Sequence, residues 1–521
     1  MKSINLLCAV ACLLLAFGCK KSEGTETLEQ VEPSNMVLSE IPVPAEEQPQ
    51  NTEEYDNVVE NDFKLAKTNP LSTFSIDVDN ASYSNVRRII ESGNLPDKGA
   101  VRIEEFINYF TYNYPQPTGE DPFSITTEVW DAPWQNDHQL VRIGLQGKEL
   151  DYQNLKPSNL VFLLDTSGSM EDPAKLPLLR DAFMLMVDNL SPGSRVSIVT
   201  YAGSAGLVLA STPVDNKDAI KEALQSLQAG GSTAGGQGLE LAYKTASENF
   251  IKEGNNRVIL ATDGDFNVGV SSRSGLMELI EKQKGNNIFL TICGFGMGNY
   301  KDATMEEISN WGDGNYFYID SMKEAQKVFG KELTANLFVI AKDVKVQVEF
   351  NPAKVQAYRL IGYENRMLNN EDFNDDLKDA GELGAGHRVT ALYEVVPIGV
   401  KFSASGTDKL KYQEPAKVTA TAASNELMTV KLRYKPIKSD KSLLIEKIVD
   451  TKSVPWAQAS KDSRFVSAVA GFGMMLRDSK YKGTLDYKLV EQLARGGMEG
   501  KNDEYKTEFL SLVDAVQGLS K

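Results

Sequence analysis

The middle of the chain carries short, near-continuous apolar runs at residues 160–165, 195–201, 257–262 and 288–294. They alternate with segments of helical periodicity at about 175–189, 216–227, 237–252 and 273–284. Runs that are apolar on both faces suit strands covered above and below, and the intervening helices supply the cover. The pattern predicts an α/β fold built on a doubly wound parallel sheet over residues 156–335. In such sheets ligands bind beyond the carboxyl ends of the strands, so the residues directly after each run are the ones to inspect.

The flanks have a different periodicity. Residues 73–79 alternate strictly, with Phe74, Ile76 and Val78 on one strand face, and Asn80-Ala81-Ser82 opens a helix through about residue 91. Asp77, Asp79 and Asn80 could offer oxygen to a cation, but capping and turn roles for Asp79, Asn80 and Ser82 are simpler. A second helix over 101–112 places Ile103, Phe106, Ile107 and Phe110 at core spacing, and strand-like runs follow at 124–130 and 139–146. Beyond residue 336 alternating runs return at 344–350, 387–395 and 427–434, and the chain closes in helices at about 464–475, 485–494 and 504–516. The expected organisation is therefore a signal peptide (1–18), an acidic tether (19–65), an amino-terminal α+β module (66–155), the α/β domain, and a β-rich and helical carboxyl-terminal domain (336–521). The β runs on either side of the α/β domain are expected to form one sheet or sandwich with that domain inserted between them.

Composition changes this picture mainly at the amino terminus. Of a net charge of −17, twelve acidic side chains between residues 22 and 62 account for all but five, and that stretch contains no Lys or Arg. The remainder is nearly balanced and carries no basic footprint for nucleic acid. An acidic, Pro-dotted, aromatic-poor stretch cannot bury enough surface to fold; as a flexible tether it reaches roughly 35–40 Å. Lys2 precedes an apolar stretch over residues 4–17, too short for a stable membrane span and suited to a signal peptide. Three of the four cysteines, Cys8, Cys12 and Cys19, fall in the first twenty residues, so no disulfide framework is available to the body. Cys293 sits in an apolar run and is expected to be a buried, inert thiol. The four tryptophans, Trp130, Trp134, Trp311 and Trp456, read as core or interdomain packing.

Candidate chemistry gathers at the carboxyl ends of the predicted strands. After the first run stands Asp165-Thr166-Ser167-Gly168-Ser169-Met170, one carboxylate and two hydroxyls at alternate positions around a turn-forming glycine. A glycine-rich loop, Gly230-Gly231-Ser232-Thr233-Ala234-Gly235-Gly236, offers the Thr233 hydroxyl, and the third run ends Ala261-Thr262-Asp263-Gly264. An all-oxygen set without Cys or His favours a hard cation, Mg²⁺ first and Mn²⁺ or Ca²⁺ after it. Two carboxylates nearly neutralise a dication, and neutral hydroxyls leave it electrophilic. A Glu or Asp carboxylate from a partner protein would complete it.

At these residues the sequence resembles the von Willebrand factor type A (VWA) domain and its metal-ion-dependent adhesion site, whose pattern is D-x-S-x-S, a distal Thr and a distal Asp in a T-D-G turn. The resemblance implies metal ligation by Asp165, Ser167, Ser169, Thr233 and Asp263, the two serine hydroxyls directly, Thr233 directly or through water, and the aspartates largely through water. Leu15-Ala16-Phe17-Gly18-Cys19 resembles a bacterial lipobox, which implies lipidation at Cys19; with no Asp after it, the pattern is similar to that of outer-membrane lipoproteins. Residues 73–88, 101–109, 260–270 and 465–481 further resemble bacterial envelope lipoproteins that carry a VWA domain between an amino-terminal module and a carboxyl-terminal domain of unassigned function. The expected function is metal-dependent protein binding in the cell envelope, by adhesion or as an assembly scaffold. The alternatives are a structural protein whose metal only stabilises the fold, and a metal-dependent hydrolase. The hydrolase needs a base near the metal, and the two histidines, His138 and His387, lie outside the predicted loops.

Overall fold

The apolar runs in the middle of the chain assemble into a six-stranded sheet. Its order is Tyr316–Ile319, Phe289–Phe295, Asn255–Thr262, Ser158–Asp165, Arg195–Tyr201 and Ala205–Pro213. The first five strands are mutually parallel, and every residue of Ser158–Asp165 and Asn255–Thr262 is buried. The sixth strand pairs antiparallel with Arg195–Tyr201, which the parallel expectation had not included. It is half-exposed, with Leu207 and Val208 facing solvent, so it lacks the continuous apolar run by which the other strands announce themselves. Two apolar cores, one built around Phe162, Phe183 and Phe329 and the other around Tyr201, Tyr243 and Tyr316, complete the α/β domain. The computed structural model describes residues 53–231, 235–264, 266, 273–298, 300–402, 418–498 and 503–520.

The flanking segments meet across the insertion, as the alternating runs predict. Arg388–Pro397 from the carboxyl-terminal part pairs with Gln139–Gly147 from the amino-terminal part, in the sheet order Lys64–Leu65, Val355–Ile361, Arg388–Pro397, Gln139–Gly147, Phe123–Asp131. A second sheet is built on Val339–Phe350, which pairs with Leu71–Ser75, Gly381–Gly384 and Glu426–Pro436, and Leu443–Asp450 forms its edge. The inner faces share one core containing Phe74, Val141, Val348, Tyr358 and Tyr393. Trp130 and Trp134 are fully buried in a separate core, with the helix Lys461–Leu476 and the helix Glu504–Leu519.

Residues 53–65, expected to belong to the tether, lie on the folded body. Glu53 pairs with Arg88 and accepts from the Gly298 amide at 2.9 Å, Phe63 packs edge-on against His138 and Tyr481, and Lys64–Leu65 joins a sheet. The acidic character of this stretch is thus used in ion pairs that no local pattern records. The capping roles expected after residue 77 are also corrected. Asn80 precedes the helix Ala81–Glu91 without a side-chain cap bond, and its Oδ1 is buried without a partner. The first turn is held instead by Glu105, whose carboxylate accepts from the Ser82 amide at 2.8 Å, while Asp77 and Asp79 take the Arg366 guanidinium.

Three arginines join the parts through ion pairs. Arg87, 2% exposed, binds Asp320 bidentately and donates to Glu324 and Glu508 at 2.8 Å each. Arg102 pairs with Glu105 and Asp302, and Arg366 reaches Asp77, Asp79 and Glu306. Removing one partner from a buried network leaves uncompensated charge behind. Arg87→Ala is expected to lower unfolding free energy by about 3–5 kcal/mol, measured by urea denaturation. Asp320→Asn, which spares the guanidinium its other partners, is expected to cost less.

Candidate metal centre

The parallel strands end at one edge, and the loops that follow them bring the predicted residues together. Asp165 closes the strand Ser158–Asp165 fully buried, and its Oδ1 accepts from the Ser167 amide at 2.9 Å. That bond folds the loop back so that the Ser167 and Ser169 hydroxyls meet at 3.0 Å. Ser167 is 3% exposed and Ser169 faces solvent, so the hydroxyls sit above the carboxylate like a rim. From the neighbouring strand Asn255–Thr262, Thr262 donates its hydroxyl to Asp165 Oδ2 at 3.3 Å, and fully buried Asp263 follows it. Burial first, and the nearby Asp263 charge among the lesser causes, push Asp165 up to about 6.

The glycine-rich loop is docked on the same spot. Gly168 N–H donates to Gly231 O at 3.1 Å and Gly230 N–H to Thr166 O at 2.8 Å. Gly231 has φ +85°, a conformation that strains any side chain, and a Cβ there would stand a tight 3.1 Å from Gly203 N. Thr233 and Cys19 lie outside the described residues. The helix Gly235–Glu248 leaves this loop and packs through Gly238 on Tyr201 and Leu163, where a Cβ would stand 2.9 Å from Tyr201 Cβ.

Two members of the site were not among the expected ligands, and only the second lacks a sequence signal. Thr262 is one. Lys175, just before the helix Leu176–Asp188, is the other: its Nζ lies 2.8 Å from Asp263 Oδ2, and its side chain is 9% exposed. It lies ten residues after Asp165 in a stretch with no recognisable spacing, and only folding brings it to Asp263. The donor chemistry fits a hard divalent cation, since two buried carboxylates share the strand-end edge with two hydroxyls, one of them exposed. A different acidic group, Asp313, Asp379 and Glu382, has ligand atoms within 4.8 Å of one another. Asp313 precedes the strand Tyr316–Ile319, at the opposite edge of the sheet, and Lys284 already pairs with Asp313 and Asp379. Cys293 is fully buried, and burial pushes its thiol well above the ordinary range. His138 pairs with Glu394 of the strand Arg388–Pro397 at 2.6 Å, and His387, in the turn before that strand, meets Asn336 of the helix Leu333–Leu337 at 3.0 Å.

Residues 159–331 match the model of the von Willebrand factor type A domain, and residues 49–142 match one described as von Willebrand factor. Residues 335–519 match the model described as "Uncharacterized protein YfbK, C-terminal". The fold and these matches define a VWA-domain protein. Escherichia coli (strain K12) YfbK is 40% identical over 477 residues, covering 90% of this chain and 82% of its own length. The chain therefore belongs to the YfbK family. The Synechocystis protein sll0103 is 25% identical over 321 residues, 59% of this chain and 74% of its own length. Inter-alpha-trypsin inhibitor heavy chain H4 of Bos taurus is 30% identical over 176 residues, 32% of this chain and 19% of its own. Among solved structures, a von Willebrand factor type A protein from Catenulispora acidiphila covers 79% of this chain and 91% of its own, at 17% identity and a TM-score of 0.42.

The T-D-G turn is constrained as tightly as the serine loop. Gly264 has φ +98°, and a Cβ there would stand 2.8 Å from Tyr300 Cα. Gly264→Ala is expected to cost about 1–3 kcal/mol from backbone strain alone and more from the clash, read as a lowered urea midpoint. A midpoint equal to wild type would show that the turn is not held in this conformation.

Proposed function

We propose that this chain is a lipid-anchored envelope protein that binds a partner protein through a divalent metal, Mg²⁺ first, held by Asp165, Ser167, Ser169, Thr233 and Asp263. The observation that carries the reading is the gathering of oxygen donors at the strand ends, with Asp165 and Asp263 fully buried on neighbouring strands and the Ser167 hydroxyl in contact with the exposed Ser169 hydroxyl. Such a site presents a cation to the surface while keeping the carboxylates that bind it dry. Bound there, the metal supplies an electrophilic seat for an Asp or Glu carboxylate of the partner.

The residues of this chain do the rest. Asp165 braces the loop through the Ser167 amide, Thr262 orients Asp165, and the Gly230-Gly231 segment locks the loop from the other side. A hydrolase would require a base poised at the metal; the proposed reading is a grip rather than a catalyst. Anchoring rests on the lipobox resemblance at Cys19, with the outer membrane as the proposed location. Among the described residues no helix is long and apolar enough to cross a membrane.

The test is affinity capture from envelope extract with the full chain as bait. Capture is expected in Mg²⁺ and loss of it in EDTA or in the Asp165→Ala variant. Capture that survives both treatments in a folded protein would refute the metal bridge and favour a structural role. Metal binding must also compete with protons at Asp165, whose raised pKa near 6 means that the folded protein takes up a proton there as pH falls. Mg²⁺ affinity, measured by calorimetry, is thus expected to be flat above pH 7 and to weaken by up to roughly tenfold per unit below pH 6.

A further inference from the structure

Lys175 is built into the metal centre in a way that a surface lysine is not. Its ammonium lies 2.8 Å from Asp263 Oδ2, the lysine side chain is 9% exposed and the carboxylate fully buried. Its alkyl stem lies along Gly296, where φ is +76° and a Cβ would stand 2.4 Å from Lys175 Cγ and Cε. The loop after the strand Phe289–Phe295 thus leaves room for this side chain by having none of its own. Backbone bonds fix the start of the stem, since Lys175 N–H donates to Asp172 O at 2.9 Å and Lys175 O accepts from Leu179 N–H at 2.8 Å.

We propose that Lys175 is a resident counter-ion that makes metal loading and partner binding depend on each other. The inference rests on the metal-site reading above. Asp165, Asp263 and Lys175 together carry one formal negative charge, and a dication turns that into one positive charge. Without Lys175 the loaded site would be neutral. The lysine therefore weakens the site's hold on the cation by like-charge repulsion and strengthens the loaded site's attraction for an anionic ligand. A partner carboxylate restores neutrality. By linkage, whatever the metal adds to carboxylate affinity the carboxylate adds to metal affinity, so the ion is held tightly when a partner is present and released more readily when it is not. A site with two carboxylates and no lysine would hold the ion more tightly on its own and gain less from the partner.

The experiment measures Mg²⁺ affinity calorimetrically on the full chain, in wild type, Lys175→Met, Lys175→Gln and Lys175→Arg, in sodium chloride and in sodium acetate at matched ionic strength. Both neutral variants are expected to bind Mg²⁺ at least roughly tenfold more tightly than wild type, with Lys175→Arg close to wild type. Acetate, the carboxylate probe, is expected to tighten Mg²⁺ binding in wild type and to do so less in the neutral variants. A parallel reading covers loss of folding: in EDTA the neutral variants are expected to melt below wild type, because Asp263 loses its cation, and excess Mg²⁺ is expected to close that gap. Wild type that binds Mg²⁺ while the neutral variants bind it equally or more weakly would overturn the counter-ion role and leave the metal site standing. An acetate effect equal in all variants would overturn the coupling. Binding of Mg²⁺ by neither wild type nor the neutral variants would overturn the metal-site reading and this inference with it. Binding gained only in the neutral variants would support both.

Discussion

A buried guanidinium must find carboxylates, and in this protein the carboxylates come from different parts of the chain. Arg87 lies in the helix Ala81–Glu91, while Asp320 and Glu324 belong to the α/β domain and Glu508 to the last helix. Arg102 likewise takes Asp302, and Arg366 draws Asp77 and Asp79 toward Glu306. Each pairing is satisfied only when the amino-terminal module, the inserted domain and the carboxyl-terminal part stand in one relative position. Apolar packing resists displacement through shape alone. Ion pairs in a low-dielectric interior resist it further, because any displacement leaves a charge desolvated and alone.

This constraint bears on the candidate site through the sheet. The strand Tyr316–Ile319 runs directly into Asp320, which Arg87 holds, and the helix Asp302–Trp311 that carries Asp302 and Glu306 lies between it and the loop touching Gly264 through Tyr300. The same framework that docks the flanking modules thereby braces one side of the loop edge. The amino-terminal segment takes part as well, since Glu53 accepts from Gly298 in the loop that also cradles Lys175 at Gly296. The described part of the proposed binding edge is thus contacted by residues far away in sequence.

Much of the inserted domain was legible in the chain. Strands buried on both faces must be continuously apolar, and helices covering them must repeat near 3.6 residues, so Ser158–Asp165, Arg195–Tyr201 and Asn255–Thr262 announce themselves. The antiparallel edge strand Ala205–Pro213 did not, because one exposed face removes the continuous run. The candidate ligands Asp165, Ser167, Ser169 and Asp263 were readable for a different reason: a short loop after a strand has few ways to aim alternate side chains, so spacing carries geometry. Lys175 had no such spacing, and Thr262 was read as part of the T-D-G turn without its bond to Asp165. The acidic residues of 53–65 looked like solvated tether because a run of like charge says nothing of cations that arrive from elsewhere.

What the sequence by itself determined is what depends on neighbours along the chain: the period of each element, the alternation that let two distant sets of strands share one sandwich, and the loop that folds Asp165, Ser167 and Ser169 together. What only the tertiary structure decided is which charges meet. It set Lys175 on Asp263, gave Asp77 and Asp79 to Arg366 in place of capping, and supplied Glu105 from another helix to the Ser82 amide. The reason is physical. Periodicity is imposed by the backbone and is local, whereas the pairing of buried charges is imposed by the exclusion of water, and that exists only once the chain has closed.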